Sequence, residues 1–221
     1  MGKRGPKPKG RVKIQWSPEF AYAVGLIASD GNLSSNGRHI TFVSKEREQI
    51  KNFLDCLKIS VKIGNTFSGY SGVRAYRVQF GDVLFYRYLQ SIGLSSAKSK
   101  TIGVLKIPDQ YFFDFLRGVF DGDGSTHSYW DKRWKSSYMF YLGFASASKA
   151  FTDWLRAKIR EFAGSSGHIT KDGRGSTFQL KYAKDESVVV LRKMYPSKSC
   201  VCLARKYLKI QKMLSIVGES L

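Results

Sequence analysis

The sequence has little that could staple the chain or carry it through a membrane. Its three cysteines, Cys56, Cys200 and Cys202, are an odd number without paired spacing. That excludes a disulfide framework and fits a reducing compartment. Cys200 and Cys202 make only half a zinc site, with no second pair and no nearby histidine, so they are expected as small buried hydrophobes. The three histidines, His39, His127 and His168, are too scattered for a metal or base constellation, which sets aside a His-dependent nuclease. No apolar run approaches a membrane span, no amphipathic anchor stands out, and the N-terminus has no apolar signal core. The expected setting is the cytoplasm or nucleoid, or an organellar matrix in a eukaryotic host, without membrane association or secretion. Acidic residues are also scarce: 17 Asp+Glu stand against 37 Lys+Arg, a formal charge of +20. Such an excess repels itself unless a polyanion neutralises it. Nucleic acid is the usual one, because basic side chains gain affinity by displacing counterions condensed on phosphates.

What is present is enough apolar residue for a proper core, 43% of 221 residues. Residues 1–15 read as a flexible basic arm: Gly2, Gly5, Gly10, Pro6 and Pro8 oppose regular structure, and Lys3, Arg4, Lys7, Lys9, Arg11 and Lys13 supply charge for DNA phosphates. The chain then repeats itself once, weakly, as residues 16–93 and 110–196, joined by a Ser- and Lys-rich linker, 94–109. Each copy begins with a helix ending in Asp-Gly, at 18–29 and 110–122. In the first copy a strand at 39–44 is followed by a helix at 45–57, strands near 61–66 and 74–80, and a helix at 82–92. In the second the same order runs through 138–146, 149–162, 168–171, 177–182 and 185–194. Short strands are expected near Asn32 and Ser125, and 130–137 makes a longer hairpin loop in the second copy. The tail, 197–221, contains one more basic amphipathic helix at 201–214.

Period-2 patterning decides what these strands face. Tyr76, Val78 and Phe80 fall opposite Arg77 and Gln79; Phe178, Leu180 and Tyr182 fall opposite Gln179 and Lys181; Ile40 and Phe42 fall opposite Thr41 and Val43. The class is therefore α+β, each copy a sheet with helices on one side and a polar, partly basic face on the other. Arg and Gln on such a face suit base edges and phosphates.

The two motif helices carry the chemistry. They read VGLIASDG to Gly31 and RGVFDGDG to Gly124. Glycine inside a helix costs roughly 1 kcal/mol relative to alanine, so its use here needs a reason. Gly25 and Ser29 are four apart, as are Gly118 and Gly122, which puts small residues on one stripe where two backbones can approach. Packing along those stripes would bring Asp30 and Asp123 together at the negative ends of both helices. That is poor structure but a good place for a hard divalent cation. Gly31 and Gly124 are then expected to release the chain into the next strand.

These segments resemble the paired motifs of the LAGLIDADG homing endonucleases, and the likeness extends over almost the whole chain after the arm. It implies the monomeric branch: two pseudo-symmetric αββαββα halves forming a saddle over double-stranded DNA, motif helices at the centre, and no protein partner. By that likeness Asp30 and Asp123 would ligate the catalytic metals, Mg²⁺ or Mn²⁺, with help from the carbonyls of Ser29 and Gly122. Ca²⁺ is expected to bind without supporting cleavage. Ala28 replaces the motif's earlier acid in the first copy, while Asp121 retains it in the second. The likeness also implies basic residues near the scissile phosphates, for which Lys98, Lys100 and Lys198 are the candidates, and more weakly Ser44 and Ser146. As a group, Asn32, Ser34, Arg38, Lys62, Tyr70, Arg77, Gln79, Tyr129, Lys135, Tyr141, Lys171, Arg174, Gln179 and Lys181 are expected to touch DNA. Hydrolysis of both strands, short 3′ overhangs and a role in intron or intein mobility follow from the resemblance. An intron-RNA maturase and a non-catalytic DNA-binding regulator of the same fold are the rival expectations.

Overall fold

The computed structural model describes residues 10–67, 72–173 and 175–221. Within them the first half runs α1 (Pro18–Ser29), β1 (Gly31–Leu33), β2 (His39–Ser44), α2 (Arg47–Leu57), β3 (Gly64–Phe67), β4 (Arg74–Gly81) and α3 (Val83–Ser91). The second runs α4 (Phe112–Asp123), β5 (Gly124–Trp130), β6 (Tyr138–Ser146), α5 (Lys149–Ala163), β7 (His168–Lys171), β8 (Phe178–Tyr182) and α6 (Lys184–Met194). A final helix, α7 (Ala204–Ile216), lies outside the repeat. Both sheets are antiparallel and share one strand order, β1-β2-β4-β3 and β5-β6-β8-β7. The fold is α+β, with two similar halves.

Local chemistry sets the boundaries. Ser17 caps α1, its side chain accepting from the Phe20 N–H at 3.1 Å, and Pro18 takes the first helical position, where no N–H is needed. Asp82 caps α3 through the Phe85 N–H at 2.9 Å. The second motif helix is expected from residue 110, but a 3₁₀ turn, Asp109–Tyr111, precedes it and α4 starts at Phe112. The tail helix starts at Ala204 rather than at 201. Side chains hold the segment before it extended: Arg117 donates to the Val201 carbonyl, Asn52 to the Cys202 carbonyl, and the Leu203 N–H donates to Asp121. The basic arm also needs correction at its end. The backbone N–H groups of Arg11 and Val12 donate to Asp82 Oδ2 at 2.5 and 2.9 Å, and Val12 is buried, so this stretch is docked. Residues 1–9 of the arm lie outside the described residues.

The core fills the space between sheets and helices. Phe42, Phe53, Phe80 and Phe85 pack ring to ring in the first half, and Phe112, Phe115 and Trp154 in the second. Each such ring removes enough apolar surface from water to stabilise the fold by roughly 1.5–3 kcal/mol. Arg117 is the largest of the polar side chains buried there, 2% exposed. It is satisfied by Asp114 at 2.7 Å and by the carbonyls of Met194 and Val201 at 2.5 and 2.9 Å, tying α4 to the end of α6. Cys56 is buried and Cys200 and Cys202 are half-buried, all as free thiols. Among the described residues no helix is long and apolar enough to cross a membrane.

Candidate active site

The site begins where α1 and α4 cross. A Cβ on Gly25 would collide with the Phe115 carbonyl and come within 2.9 Å of the Gly118 Cα. A Cβ on Gly118 would collide with the Tyr22 carbonyl and come within 3.0 Å of the Gly25 Cα. Lower down, Gly122 faces Ser29, whose Oγ folds back onto the carbonyls of Gly25 and Leu26. The small-residue stripe therefore sets how closely the two backbones approach. Gly31 and Gly124 open β1 and β5, as expected. Gly124 has φ −79°, and both glycines press against the preceding helix turn, where a Cβ would lie 2.6 Å from the Cα of Ile27 or Phe120. Room against the preceding helix turn requires glycine there.

This crossing creates two clefts, one on each side of the helix pair. The first, about 250 Å³, is lined by Ser29, Lys98, Asp123 and Ser146. The second, about 610 Å³, is lined by Asp30, Gly122, Lys206 and Ser44. Each thus combines the acid at the end of one motif helix, the residue just before the acid of the other and a lysine. The Asp30 carboxylate leans over Gly122, within 2.9 Å of where a Cβ would sit.

The electrostatics follow the same pairing. Burial, and then repulsion from Asp123, pushes the Asp30 carboxyl up to about 6; Lys206 and Lys98 pull against that. Burial likewise raises Asp123, opposed first by Lys98 and then by Lys206. Each acid therefore feels most strongly the lysine of its own cleft. Both acids keep an open side toward solvent. Lys98 is 6% exposed and donates to the Ser29 carbonyl at 3.1 Å; burial lowers its pKa, and Asp123 and Asp30 oppose the fall.

Lys206 is the residue that sequence reasoning missed. It comes from α7 and donates to the carbonyls of Phe120, Asp121, Gly122 and Gly124 at 2.6, 3.0, 3.2 and 2.7 Å, capping the end of α4. Burial lowers its pKa too. Lys198, expected in that place, is exposed in a loop whose neighbours Ser197 and Ser199 share a pocket with Pro18 and Glu19. That is the opposite end of the motif helices, because the chain after α6 crosses to Arg117 before it returns along α7. Lys100 is exposed, two residues beyond Lys98. Gln49 was also missed: it is buried, accepts from the Ser44 hydroxyl at 2.6 Å and donates to the Asp121 carbonyl at 2.9 Å. Asp121 itself is buried, accepting from the Tyr22 hydroxyl and the Leu203 N–H at 2.7 Å each, and burial pushes its carboxyl up to about 6.

Among the described residues no three His, Cys, Asp or Glu side chains gather as a metal cage. Two carboxylates and two backbone carbonyls are instead a hard-oxygen donor set that suits Mg²⁺ when phosphate and water complete the shell. The residues fit such an ion where it shares the Ser29 and Gly122 carbonyls with Lys98 and Lys206, which donate to them at 3.1 and 3.2 Å.

Strand register shows what lies on the open faces. Pairing of Asn32 with Thr41, Thr41 with Gln79, and Val43 with Arg77 puts these residues on one face of the first sheet, away from Ile40, Phe42, Val78 and Phe80. In the second half Ser125, His127, Tyr129, Tyr141, His168, Gln179 and Lys181 line one open cleft. His127 and His168 thus join the expected Tyr129, Tyr141, Gln179 and Lys181. Ser34 and Arg38 sit in the β1–β2 turn, Lys62 just before β3, and Lys135 in the β5–β6 loop. Lys171 is a correction. It pairs with Phe178, and its ammonium lies 5.9 Å from that ring, so strand alternation turns it to the helix side. Tyr70 and Arg174 lie outside the described residues.

Two like halves, crossed acidic helices at their junction and two open sheet faces are the architecture of the LAGLIDADG fold. The chain has a TM-score of 0.62 with the homing endonuclease I-WcaI bound to its DNA recognition sequence, at 15% identity over 94% of this chain and 95% of that one. With I-DmoI in complex with DNA and Ca the TM-score is 0.57, at 14% identity, covering 87% and 97%. Full-length DUF199/WhiA from Thermatoga maritima gives 0.57 at 15% identity, covering 96% and 68%. The fold is thus shared by endonucleases and by a protein of another description. No protein-family model matches the chain. In sequence, the chain is 31% identical over 122 residues to a component of the A-type ATP synthase of Methanopyrus kandleri. That stretch is 52% of this chain but 11% of that protein, so the chain spans a small part of its relative's length.

Proposed function

We propose that the protein is a metal-dependent homing endonuclease that hydrolyses both strands of a long double-stranded DNA target. The carrying observation is the pair of clefts, each uniting the acid of one motif, a lysine and the residue just before the acid of the other motif. A structural helix junction has no use for two partly desolvated carboxylates at the negative ends of two dipoles, one of them raised further by the other. The DNA-bound endonucleases of the same fold support the reading of the open faces as a duplex saddle.

Asp30, Asp123 and the carbonyls of Ser29 and Gly122 would hold the cation. Bound there, Mg²⁺ or Mn²⁺ supplies Lewis-acid polarisation of a phosphoryl oxygen and a more acidic water. In the reaction a water oxygen bonds to phosphorus, a bridging P–O bond breaks, and the leaving oxygen takes a proton. Lys98 and Lys206 hold positive charge where negative charge develops on the phosphate. One cleft for each strand gives two breaks, and short 3′ overhangs follow when the two scissile phosphates face each other across the minor groove. An intron or intein setting would supply the target. The second reading is a DNA-binding regulator of the same fold that does not cut; the fold alone leaves room for it, since DUF199/WhiA shares it and its description names no endonuclease.

The test is a pooled duplex library containing intron-insertion regions, incubated with Mg²⁺ or Ca²⁺ and sequenced for new ends. Breaks at one long site with Mg²⁺, absent with Ca²⁺ and with Asp30→Asn, support the enzyme. Target recognition without cleavage in any divalent metal would leave the regulator.

A further inference from the structure

The end of α4 gathers carbonyl oxygens around a single ammonium. The last carbonyls of a helix have no partners within it. Here the chain passes straight from Asp123 into β5 at Gly124, whose backbone is extended at φ −79° and ψ 156°. The Gly124 carbonyl thereby joins those of the final helix turn. Lys206 Nζ sits among the carbonyls of Phe120, Asp121, Gly122 and Gly124 at 2.6, 3.0, 3.2 and 2.7 Å, with the centre of the Phe120 ring 5.0 Å away. An ammonium has three N–H groups, so four acceptors must share them and none is left over for a ligand. Oxygens on several sides and an aromatic face beside them answer to charge more than to bond direction.

Lys98 is not its twin. Among the described residues it donates to the Ser29 carbonyl at 3.1 Å and to no second carbonyl, so it keeps N–H groups for a phosphate. The two lysines fill equivalent clefts by different chemistry. A ring of backbone carbonyls is how proteins replace the water shell of a monovalent cation, K⁺ above all. Ammonium and K⁺ are close in size, and a lysine head is that charge on a stem. Mg²⁺ wants a tighter octahedral shell with carboxylate oxygen, which the acids of the cleft supply and the carbonyl ring does not.

We propose that the Phe120, Asp121, Gly122 and Gly124 carbonyls form a monovalent-cation site, suited to K⁺ or ammonium, which the chain fills with its own Lys206. Lys206 is then a resident cation. It neutralises the negative end of α4 beside Asp123 and fixes one positive charge in its cleft whatever salt surrounds the protein. Gly122 is the most loosely held of the four carbonyls, and so the one a divalent ion in the cleft can share. Such a site exists whether or not the protein cuts DNA.

Removing the stem and supplying the ion tests this. Lys206→Ala is melted in EDTA at constant ionic strength while N-methylglucamine chloride is replaced stepwise by KCl, to about 0.5 M. Wild type is melted alongside, with Lys206→Met, whose side chain fills the same space without charge, and Lys212→Ala, which loses an exposed charge from the same helix. In the bulky cation Lys206→Ala should melt below wild type. K⁺ at about ten times its dissociation constant should then raise that melting temperature by roughly 3–6 °C, saturably, and NH₄⁺ should do the same. The other three proteins should show no K⁺-specific rise. Where Lys206→Ala has no cooperative transition in N-methylglucamine, the signal is the return of one as K⁺ is added. In crystals of Lys206→Ala, anomalous scattering from rubidium should lie between the four carbonyls. A Lys206→Ala protein indifferent to the exchange, or shifted no more than Lys206→Met and Lys212→Ala, overturns the site. So does rubidium bound elsewhere with the ring of carbonyls empty. No DNA enters these measurements, so their failure leaves the endonuclease reading untouched.

Discussion

Asp30 is held against its own interest. Its carboxyl is raised from 3.8 to about 6, so the folded chain binds that proton more tightly than the unfolded chain does. The contribution to stability is therefore complete below the ordinary carboxylate pKa and is lost as pH rises through about 6. Asp30→Asn in the metal-free protein should raise the melting temperature at pH 7–8 and change it little near pH 4. A pH series of melting curves reads this directly. The same substitution should reduce cleavage by about a hundred- to a thousandfold or more, the scale of losing one electrostatic contact to the reacting group. Such a trade of stability against activity is what a metal site predicts and a structural turn does not. Asp121 differs. It too is raised to about 6, but it accepts the Tyr22 hydroxyl and the Leu203 N–H. Asp121→Asn keeps an acceptor for both and should be neutral or stabilising at neutral pH. Asp121→Ala orphans a buried N–H and should cost about 1–3 kcal/mol by denaturant titration.

At the scale of elements, the crossing of α1 and α4 tolerates no added atoms. Gly118→Ala places a methyl into the Tyr22 carbonyl and should destabilise the protein by about 3 kcal/mol, the upper range of overpacking, measured as a fall in denaturation midpoint. The sequence made this junction legible, because Gly25, Ser29, Gly118 and Gly122 recur four apart where glycine is otherwise disfavoured. It also made the bounds of α1, β2, β6 and β7 legible to the residue, since caps, turns and strand composition are local. Lys206 was not legible. Its place depends on α7 returning across the body, held by Glu48 to the Ala204 N–H at 3.1 Å, Glu46 to Arg205 at 3.0 Å and Lys209 to the Thr126 carbonyl at 2.6 Å. No repeat predicts such a path, and symmetry pointed to Lys198 instead. The turn of Lys171 toward the helix side was hidden for a related reason: a short edge strand has too little pattern to fix which face is which.

For the whole molecule, the two clefts are equivalent in role but opposite in place, Lys98 with Asp123 on one side and Lys206 with Asp30 on the other. Under the proposed function each serves one DNA strand. Lys98 belongs to the chain after α3, Lys206 to a helix outside the repeat, so the two centres can be disabled separately. The decisive measurement is strand-resolved cleavage of the recovered target, each strand carrying its own end label, by Lys98→Met and Lys206→Met with Mg²⁺. Each variant should accumulate nicked duplex, and the strand left intact by one should be the strand cut by the other. Equal slowing of both strands in both variants, or no Mg²⁺-dependent break by the wild type, would refute the division of labour between the clefts.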